Sequence, residues 1–212
     1  MLPRYYTVKA DGEHEIIIQK SRFIAYVSRA ESENEAQAFI QKIKKENWNA
    51  THNCSAYLIG ENDQIQKAND DGEPSGTAGI PILEVLKKRQ LKDTVVVITR
   101  YFGGIKLGAG GLIRAYGKAT SEGIDEAGVV ERKLMRVMHT KVDYTWLGKL
   151  ENELRSSVYT LKEIHYLDMV EIETFVEEEA TPQFIEWMVE LTNGQGEISE
   201  GLQLYLEEDV GK

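Results

Sequence analysis

The sequence contains few cysteines and no long hydrophobic run. Its one cysteine, Cys54, excludes an intrachain disulfide and is typical of a protein that stays in a reducing compartment. The longest uninterrupted aliphatic stretch, Val95 to Ile98, is far shorter than the roughly 20 apolar residues that span a bilayer. The segment from Met1 to Lys9 lacks the apolar centre of a secretory signal. We therefore expect a cytoplasmic protein without a membrane partner.

The charge is unevenly distributed along the chain. The 212 residues are 42% hydrophobic and 28% charged, as in ordinary globular proteins, and carry a net charge of -10. Residues 132–212 hold 8 basic and 17 acidic residues, a net charge of -9, whereas 1–131 hold 17 basic and 18 acidic residues, a net charge of -1. Acidity therefore argues against nucleic-acid binding only for the second segment.

The pattern of the residues predicts an α+β protein with two domains, 1–131 and 132–212. In the first, a helix with a capping box is expected over 32–46, a central strand over 93–101 and a long helix over 108–127. In the second, the predicted elements follow the order βαββαβ, which is the ferredoxin-like, split βαβ pattern. Many unrelated proteins share that pattern, so it assigns no activity.

A loop from Asn69 to Gly79 concentrates carboxylates, hydroxyls and glycines (NDDGEPSGTAG). Such a loop can hold a hard cation or a phosphate, although its spacing does not match a calcium loop. The alternative is a structured turn, in which Asp70, Asp71 and Ser75 cap the following helix and bond to the amides of the loop.

A second glycine-rich segment runs from the predicted central strand into the long helix, over 100–118 (RYFGGIKLGAGGLIRAYGK). Its cations could contact phosphates, and Tyr101 or Phe102 could stack on bases. The alternative is that the glycines permit close packing of the helix on the sheet, with Phe102 and Tyr116 in the core. The four cations are Arg100, Lys106, Arg114 and Lys118.

Neither segment matches a known nucleotide-binding pattern. The dinucleotide fingerprint fails at Ile113, and the phosphate loop fails because Ala119 stands where Ser or Thr coordinates magnesium. His52 and Cys54 lie two residues apart with no third group to orient a base, and the other histidines lack metal-ligand spacing. We therefore predict no catalytic residue, no metal site and no cofactor.

Taken in order, the two segments resemble a family signature. Asp70 to Gly79 (DDGEPSGTAG), Arg100 to Gly104 (RYFGG) and Leu107 to Tyr116 (LGAGGLIRAY) are closely similar to the motifs of the IMPACT family, bacterial YigZ-like branch. The resemblance covers about residues 14 to 130. The acidic second half resembles the additional C-terminal domain of the bacterial members.

This resemblance implies a fold for each domain. The first would share the fold of domain 2 of a small-subunit ribosomal protein and of domain IV of elongation factor G. The second would be similar to domain V of that factor. The motif positions carry no assigned role in the family; together with two neighbouring cations they form our set of binding residues: Asp70, Asp71, Glu73, Ser75, Thr77, Arg100, Tyr101, Gly103, Gly104, Lys106, Arg114, Tyr116 and Lys118.

For function, the resemblance implies translation-linked regulation, which the eukaryotic relatives exert by binding proteins. Our main hypothesis is a cytoplasmic protein without catalysis that engages RNA or the ribosome through 1–131. One alternative is an enzyme in which Asp70, Asp71 and Glu73 hold a divalent cation and Arg100 and Arg114 grip an anionic substrate. Another is a purely protein-binding regulatory module. The acidic second domain is a candidate to bind a basic protein.

Overall fold

The computed structural model describes residues 1–210, which form two β-sheets and five α-helices and confirm the mixed α+β class. The strands are β1 (Arg4–Val8), β2 (Gly12–Ile18), β3 (Ser21–Arg29), β4 (His52–Ile59), β5 (Ile65–Asn69), β6 (Thr94–Tyr101), β7 (Val129–Val142), β8 (Thr160–Tyr166), β9 (Val170–Glu177) and β10 (Glu197–Asp209). The helices are α1 (Glu33–Glu46), α2 (Gly79–Lys88), α3 (Gly108–Ala127), α4 (Tyr144–Ser156) and α5 (Thr181–Leu191), and a short 3-10 helix spans Glu178–Ala180.

The residues divide into two compact units. The N-terminal unit contains Leu2–Arg132 and the segment that begins at Glu208, and the C-terminal unit contains Lys133–Glu207. Strand β7 begins in the first unit and continues into the second. That 1–131 and 132–212 fold as separate domains stays a prediction.

In the N-terminal unit, five antiparallel strands form a sheet of order β2-β3-β6-β4-β5. Strands β3 and β4 both run antiparallel to β6 and are therefore parallel to each other, with α1 connecting them. The predicted central strand is indeed central, because β6 lies between β3 and β4. Its β-branched residues suit a strand that is covered on both faces.

The two faces of this sheet bury separate cores, as the period of two along a strand requires. Val96 and Ile98 of β6 pack with residues of α2 and α3, such as Leu86 and Tyr116. Val95 and Val97 face the other way and pack with residues of α1, among them Ala36, Ile40 and Ile43. The unit thus has three layers, with the sheet between α1 and the α2–α3 pair.

The predicted cap of α1 is present. Ser32 is the N-cap, and its hydroxyl accepts a hydrogen bond from the backbone N–H of Glu35. The Glu35 carboxylate in turn accepts from the N–H of Glu31, one residue before the cap. A capping box in the sequence therefore located the start of this helix correctly.

In the C-terminal unit, the elements β7, α4, β8, β9, α5 and β10 follow the predicted order βαββαβ. Strand β9 pairs with both β7 and β8, and β10 also pairs with β7. One face of the sheet packs on α4 and α5 through Met138, Ile172, Leu150 and Phe184. The alternate residues of the same strands therefore face away from the helices.

One strand was missing from the sequence-based prediction. Strand β1 pairs with β7, and its last two residues, Thr7 and Val8, are buried. Five residues at the start of a chain form too short a pattern to reveal a strand whose partner lies more than 120 positions away. No helix among the described residues is long and apolar enough to cross a bilayer.

Helix α3 contains two glycines that should respond oppositely to alanine. A Cβ at Gly123 would lie 2.6 Å from the Cβ of Ala25 on β3, whereas a Cβ at Gly117 would meet only Val85, at 4.0 Å. We expect Gly117→Ala to raise the free energy of unfolding by up to about 1 kcal/mol through helix propensity. Gly123→Ala should lower it, because overpacking costs about 1–3 kcal/mol. Urea denaturation of both variants measures this, and stabilisation by Gly123→Ala would contradict the close packing.

Candidate functional site

A buried ion pair joins the two glycine-rich segments. The Arg100 guanidinium donates from Nη1 to Oε1 of Glu73 at 2.6 Å, and the two side chains are only 6% and 3% exposed. The guanidinium also donates to the Ser21 hydroxyl and lies 5.3 and 5.4 Å from the ring centres of Phe23 and Phe102. The expectation that Arg100 contacts phosphate is therefore wrong, because β6 is covered on both faces and carries this side chain into the interior.

The same Glu73 oxygen accepts a second hydrogen bond, from a tyrosine of α3. The Tyr116 hydroxyl donates to Glu73 Oε1 at 2.8 Å, and its oxygen lies 3.3 Å from the Cys54 Sγ. The Cys54 thiol donates its single hydrogen to the backbone oxygen of Asp70, which lies 2.9 Å from Sγ. Burial raises the pKa of Cys54 to about 12 and, with the neighbouring thiol and carboxylate, raises the pKa of Tyr116 well above its usual value.

A histidine completes this cluster. His52 pairs with Arg100 in the register of β4 and β6. Its Nδ1 lies 2.8 Å from the backbone oxygen of Asp71, and its Nε2 lies 3.8 Å from Glu73 Oε2. We call the set of Glu73, Arg100, Tyr116, Cys54 and His52 the Glu73 network. It connects the first glycine-rich segment to β4, β6 and α3 by polar contacts inside the protein.

Of the three residues that the structured-turn alternative named as caps, Asp70 caps the start of α2. Burial of its carboxylate is outweighed by three backbone hydrogen bonds, which together lower its pKa below the usual value. Because the N-cap residue of α2, Ala78, has no side-chain cap of its own, Asp70 supplies the acceptor that this helix start lacks. The donors are the N–H groups of Gly76, Ala78 and Gly79.

The three carboxylates of the first segment bond to different partners. Asp70 accepts from its own loop, and Glu73 is paired with Arg100. Asp71 forms an ion pair with Lys44 at 2.6 Å and accepts from the backbone N–H of Asn53. The oxygens of these three carboxylates do not all lie within 4.8 Å of one another, so in this arrangement they do not share the one cation of the enzyme hypothesis.

Two other motif side chains are held by hydrogen bonds, and a third reaches solvent. Tyr101, expected to stack on bases, donates from its hydroxyl to Asn47 at 3.0 Å, and its ring lies 5.2 Å from the Arg22 guanidinium. The hydroxyl of buried Thr77 donates to the Pro74 carbonyl. Ser75 is exposed. Tyr101 and Thr77 therefore serve the packing of the loops on the sheet.

The second segment brings apolar and cationic side chains to solvent. Phe102, Ile105 and Ile113 are 46%, 42% and 45% exposed. The alternative that places both Phe102 and Tyr116 in the core is therefore right for Tyr116 and wrong for Phe102, which lies on the surface. We call these residues, together with the exposed cations of the segment, the 102–118 surface; the cations are Lys106, Arg114 and Lys118.

The cations of this surface differ in their contacts. Lys118 lies 3.6 Å from Glu122, one turn further along α3. Within the described residues 1–210, no hydrogen bond or ion pair links Lys106 or Arg114 to another side chain. These two charges are therefore available to an anionic partner.

Gly103 is required by a close backbone approach. A Cβ at this position would lie 2.1 Å from the carbonyl of Lys20, and the Gly103 N–H donates to the Ser21 hydroxyl. Lys20 and Gln19 form the turn between β2 and β3 with φ values of 67° and 44°, a left-handed conformation that favours glycine. The hairpin thus brings exposed Lys20 beside the 102–118 surface.

The start of α3 is open to solvent. Its N-cap, Leu107, makes no side-chain capping bond, and the first turn carries no acidic residue. Gly104 and Gly108 have φ values of 87° and 70°, and a Cβ at either would meet nothing within 4 Å. The backbone N–H groups of this turn are thus accessible beside Lys106 and Arg114, a setting that suits an anion.

Sequence reasoning missed His52 and Cys54 as members of the Glu73 network. Their spacing along β4 does not reveal the partners, because Glu73, Arg100 and Tyr116 come from three other parts of the chain. The signal that could have found them is the pairing of β4 with β6, which places His52 opposite Arg100. That register cannot be read from either strand alone.

Comparison with known proteins agrees with the motifs. Residues 19–124 match the Impact N-terminal domain, and residues 140–195 match a domain of unknown function, DUF1949. The chain is 72% identical over 210 residues to the IMPACT family member YvyE of Bacillus subtilis, covering 99% of this chain and 97% of that protein. It is 39% identical to the IMPACT family member YigZ of Escherichia coli over 50% of this chain and 53% of that one.

A solved structure has a similar fold. A crystal structure of a hypothetical protein aligns over 93% of this chain and 97% of its own, with a TM-score of 0.61 and 26% sequence identity. The similarity thus extends over both units and not only over the glycine-rich segments.

The Glu73 network predicts a large difference between two glutamate substitutions. Glu73→Gln keeps the shape of the side chain but leaves the buried Arg100 charge uncompensated, which costs about 3–5 kcal/mol when one partner of a buried pair is removed. Glu15→Gln is the matched control, because Glu15 forms an exposed ion pair with Arg22 at 2.7 Å and should change stability little. Chemical denaturation measures both. Equal effects of the two substitutions would contradict the structural role of Glu73.

The environment of Cys54 predicts an unreactive thiol. With a pKa of about 12 and no exposed surface, Cys54 should react with a thiol reagent at pH 8 far more slowly than an ordinary cysteine, because the thiolate is the nucleophile. In denaturant the same protein should react quickly with one equivalent of the reagent, since Cys54 is its only cysteine. Fast labelling of the folded protein would show that the thiol is accessible.

Proposed function

The chain belongs to the IMPACT family, and we propose that it is a regulatory binding protein that engages RNA, on the ribosome or free of it, through the 102–118 surface. The observation that carries this proposal is the exposure of Lys106 and Arg114, without ion-pair partners among the described residues, next to the exposed ring of Phe102. Cations that contact phosphates, together with an aromatic face for bases, are the usual means of binding single-stranded nucleic acid.

The backbone supports the same proposal. The first turn of α3 offers N–H groups near these cations, and glycines without nearby atoms let a phosphate approach the chain closely. Phe102 is held by its contact with the buried Arg100 guanidinium on one side, while 46% of the residue stays exposed. A ring fixed in this way can stack on a base at a small entropic cost.

The C-terminal unit is proposed to have a different kind of partner. Residues 132–212 carry a net charge of -9, which disfavours direct contact with RNA and favours a basic protein surface. We also propose, from the family resemblance, that the two domains share the folds of elongation factor G domains IV and V.

A purely protein-binding function is the second candidate. The exposed side chains of Ile105 and Ile113 make the 102–118 surface more apolar than phosphate binding requires. If proteins are the partners, binding should persist after nuclease treatment and depend little on salt.

A pair of charge-matched variants tests the RNA proposal. The Lys106→Ala, Arg114→Ala double variant removes two cations from the 102–118 surface. The Lys42→Ala, Lys45→Ala double variant removes two exposed cations from α1, on the opposite face of the sheet. Fluorescence anisotropy with a labelled single-stranded RNA, over a range of salt concentrations, should show weaker binding only for the first. The slope of log K against log salt should also become shallower by about 0.7 for each phosphate that the variant no longer neutralises.

Phe102→Ala should have a distinct signature. Loss of base stacking should lower the affinity by about 1–3 kcal/mol and leave the salt slope unchanged.

Cosedimentation with purified bacterial ribosomes, using the same variants, tests the ribosome as the source of the RNA. If the unchanged protein binds neither RNA nor ribosomes at low salt, or if both double variants bind equally, the proposal is wrong.

A further inference from the structure

The C-terminal unit carries a cluster of histidines and glutamates that spans three strands. On β7 and β9, Met138 and Ile172 face the helices, so their neighbours in sequence face the other side of the sheet. There, His139 pairs in register with Glu173, and Glu163 and His165 of β8 pair with Glu173 and Glu171. We call these five residues the Glu173 cluster: His139, Glu163, His165, Glu171 and Glu173.

Glu173 lies at the centre of the cluster. Its Oε1 is 3.2 Å from His165 Nε2 and 3.7 Å from His139 Nδ1. His139 Nδ1 is also 2.7 Å from Glu171 Oε1, and His165 Nε2 is 3.9 Å from Glu163 Oε2. Two groups of three potential ligand atoms, each group within 4.8 Å, therefore share Glu173.

Two lysines orient the carboxylates. Lys162 contacts Oε2 of Glu173, and Lys141 lies 3.5 Å from Oε2 of Glu171. In both glutamates the other oxygen, Oε1, points to imidazole nitrogen. Each lysine thus contacts Oε2 of one carboxylate and fixes its orientation, so that Oε1 faces an imidazole. Outer-shell groups orient the ligands of metal sites in the same way.

One of the two groups has a spacing near that of ligands around a small ion. Ligands about 2.0–2.2 Å from a tetrahedral ion are about 3.4 Å from one another. His139 Nδ1 lies 3.7 Å from Glu173 Oε1 and 2.7 Å from Glu171 Oε1, on either side of that separation. Glu171 and Glu173 are also only 17% and 13% exposed, so the cluster is partly shielded from solvent.

The donor atoms indicate the class of ion. Imidazole nitrogen with carboxylate oxygen suits zinc and neighbouring divalent transition metals, whereas magnesium and calcium prefer oxygen alone. We propose that the Glu173 cluster binds one divalent ion of the zinc class, with His139 as the nitrogen donor and Glu171 and Glu173 as the oxygen donors. The net charge of -9 over residues 132–212 favours the approach of such a cation.

No local pattern in the sequence indicates this site. His139 lies on β7, 32 positions before Glu171 on β9, and the two meet only through the pairing of these strands. A search for metal-ligand spacing along the chain therefore does not find this group.

Calorimetric titration of the full chain with zinc tests the proposal. We expect one equivalent to bind, and Glu173→Gln to weaken binding by at least about tenfold because it removes the shared ligand. His139→Gln should weaken binding as well, whereas His165→Ala should change the affinity little, because His165 belongs to the other group of ligand atoms. His14→Ala is the matched control, since His14 forms a comparable pair with Glu122 in the N-terminal unit, and it should leave the affinity unchanged.

Cobalt provides a second readout that does not depend on affinity alone. Binding of Co²⁺ should produce the visible absorption of a four-coordinate site, and His139→Gln should change that spectrum while circular dichroism shows the fold intact. No zinc binding at millimolar concentration would overturn the proposal. So would binding that Glu173→Gln leaves unchanged, or that His14→Ala weakens as strongly as the cluster variants. The RNA tests on the 102–118 surface are independent of this result.

Discussion

The buried contact between Glu73 and Arg100 is the interaction on which the arrangement of the N-terminal unit depends. Removing two charges from water is costly, and the attraction between them offsets more of that cost when their other polar atoms are hydrogen-bonded. Here the carboxylate oxygen that accepts from Arg100 also accepts from Tyr116, and the guanidinium donates to Ser21, while the buried Arg100 Nε has no partner. The first glycine-rich segment, β6, α3 and the start of β3 therefore adopt their positions together.

This constraint divides the family motif into an interior part and a surface part. Asp70, Glu73, Arg100 and Tyr116 make contacts within the protein, whereas Phe102, Ile113 and Arg114 reach solvent. The two parts meet at the Arg100 guanidinium, which faces Glu73 on one side and the Phe102 ring on the other. The interior contacts thus determine where the exposed ring lies, and a motif residue can matter for binding without touching a ligand.

The sequence correctly predicted the helices and strands whose positions depend on local patterns. The Ser32 cap, the apolar period of α1 and the β-branched run of β6 located their elements, since each depends on residues a few positions apart. It could not show that Arg100 is buried, because an arginine near the end of a hydrophobic strand can equally well have its side chain in solvent. The partner that permits its burial, Glu73, lies 27 positions earlier in a loop. Strand β1 and the Glu173 cluster likewise depend on pairing between distant strands.

Net charge is a weak guide to what such a protein binds, and screening explains why. At physiological salt the Debye length is about 8 Å, so a phosphate at the 102–118 surface responds chiefly to charges within that distance. Glu73 and Arg100 neutralise each other inside the protein and contribute little to that field. Lys106, Arg114 and Lys20 are exposed, whereas Lys118 is paired with an acid of the same helix. The overall net charge of -10 comes mainly from residues 132–212, which contribute -9, and is therefore no measure of the field at the 102–118 surface.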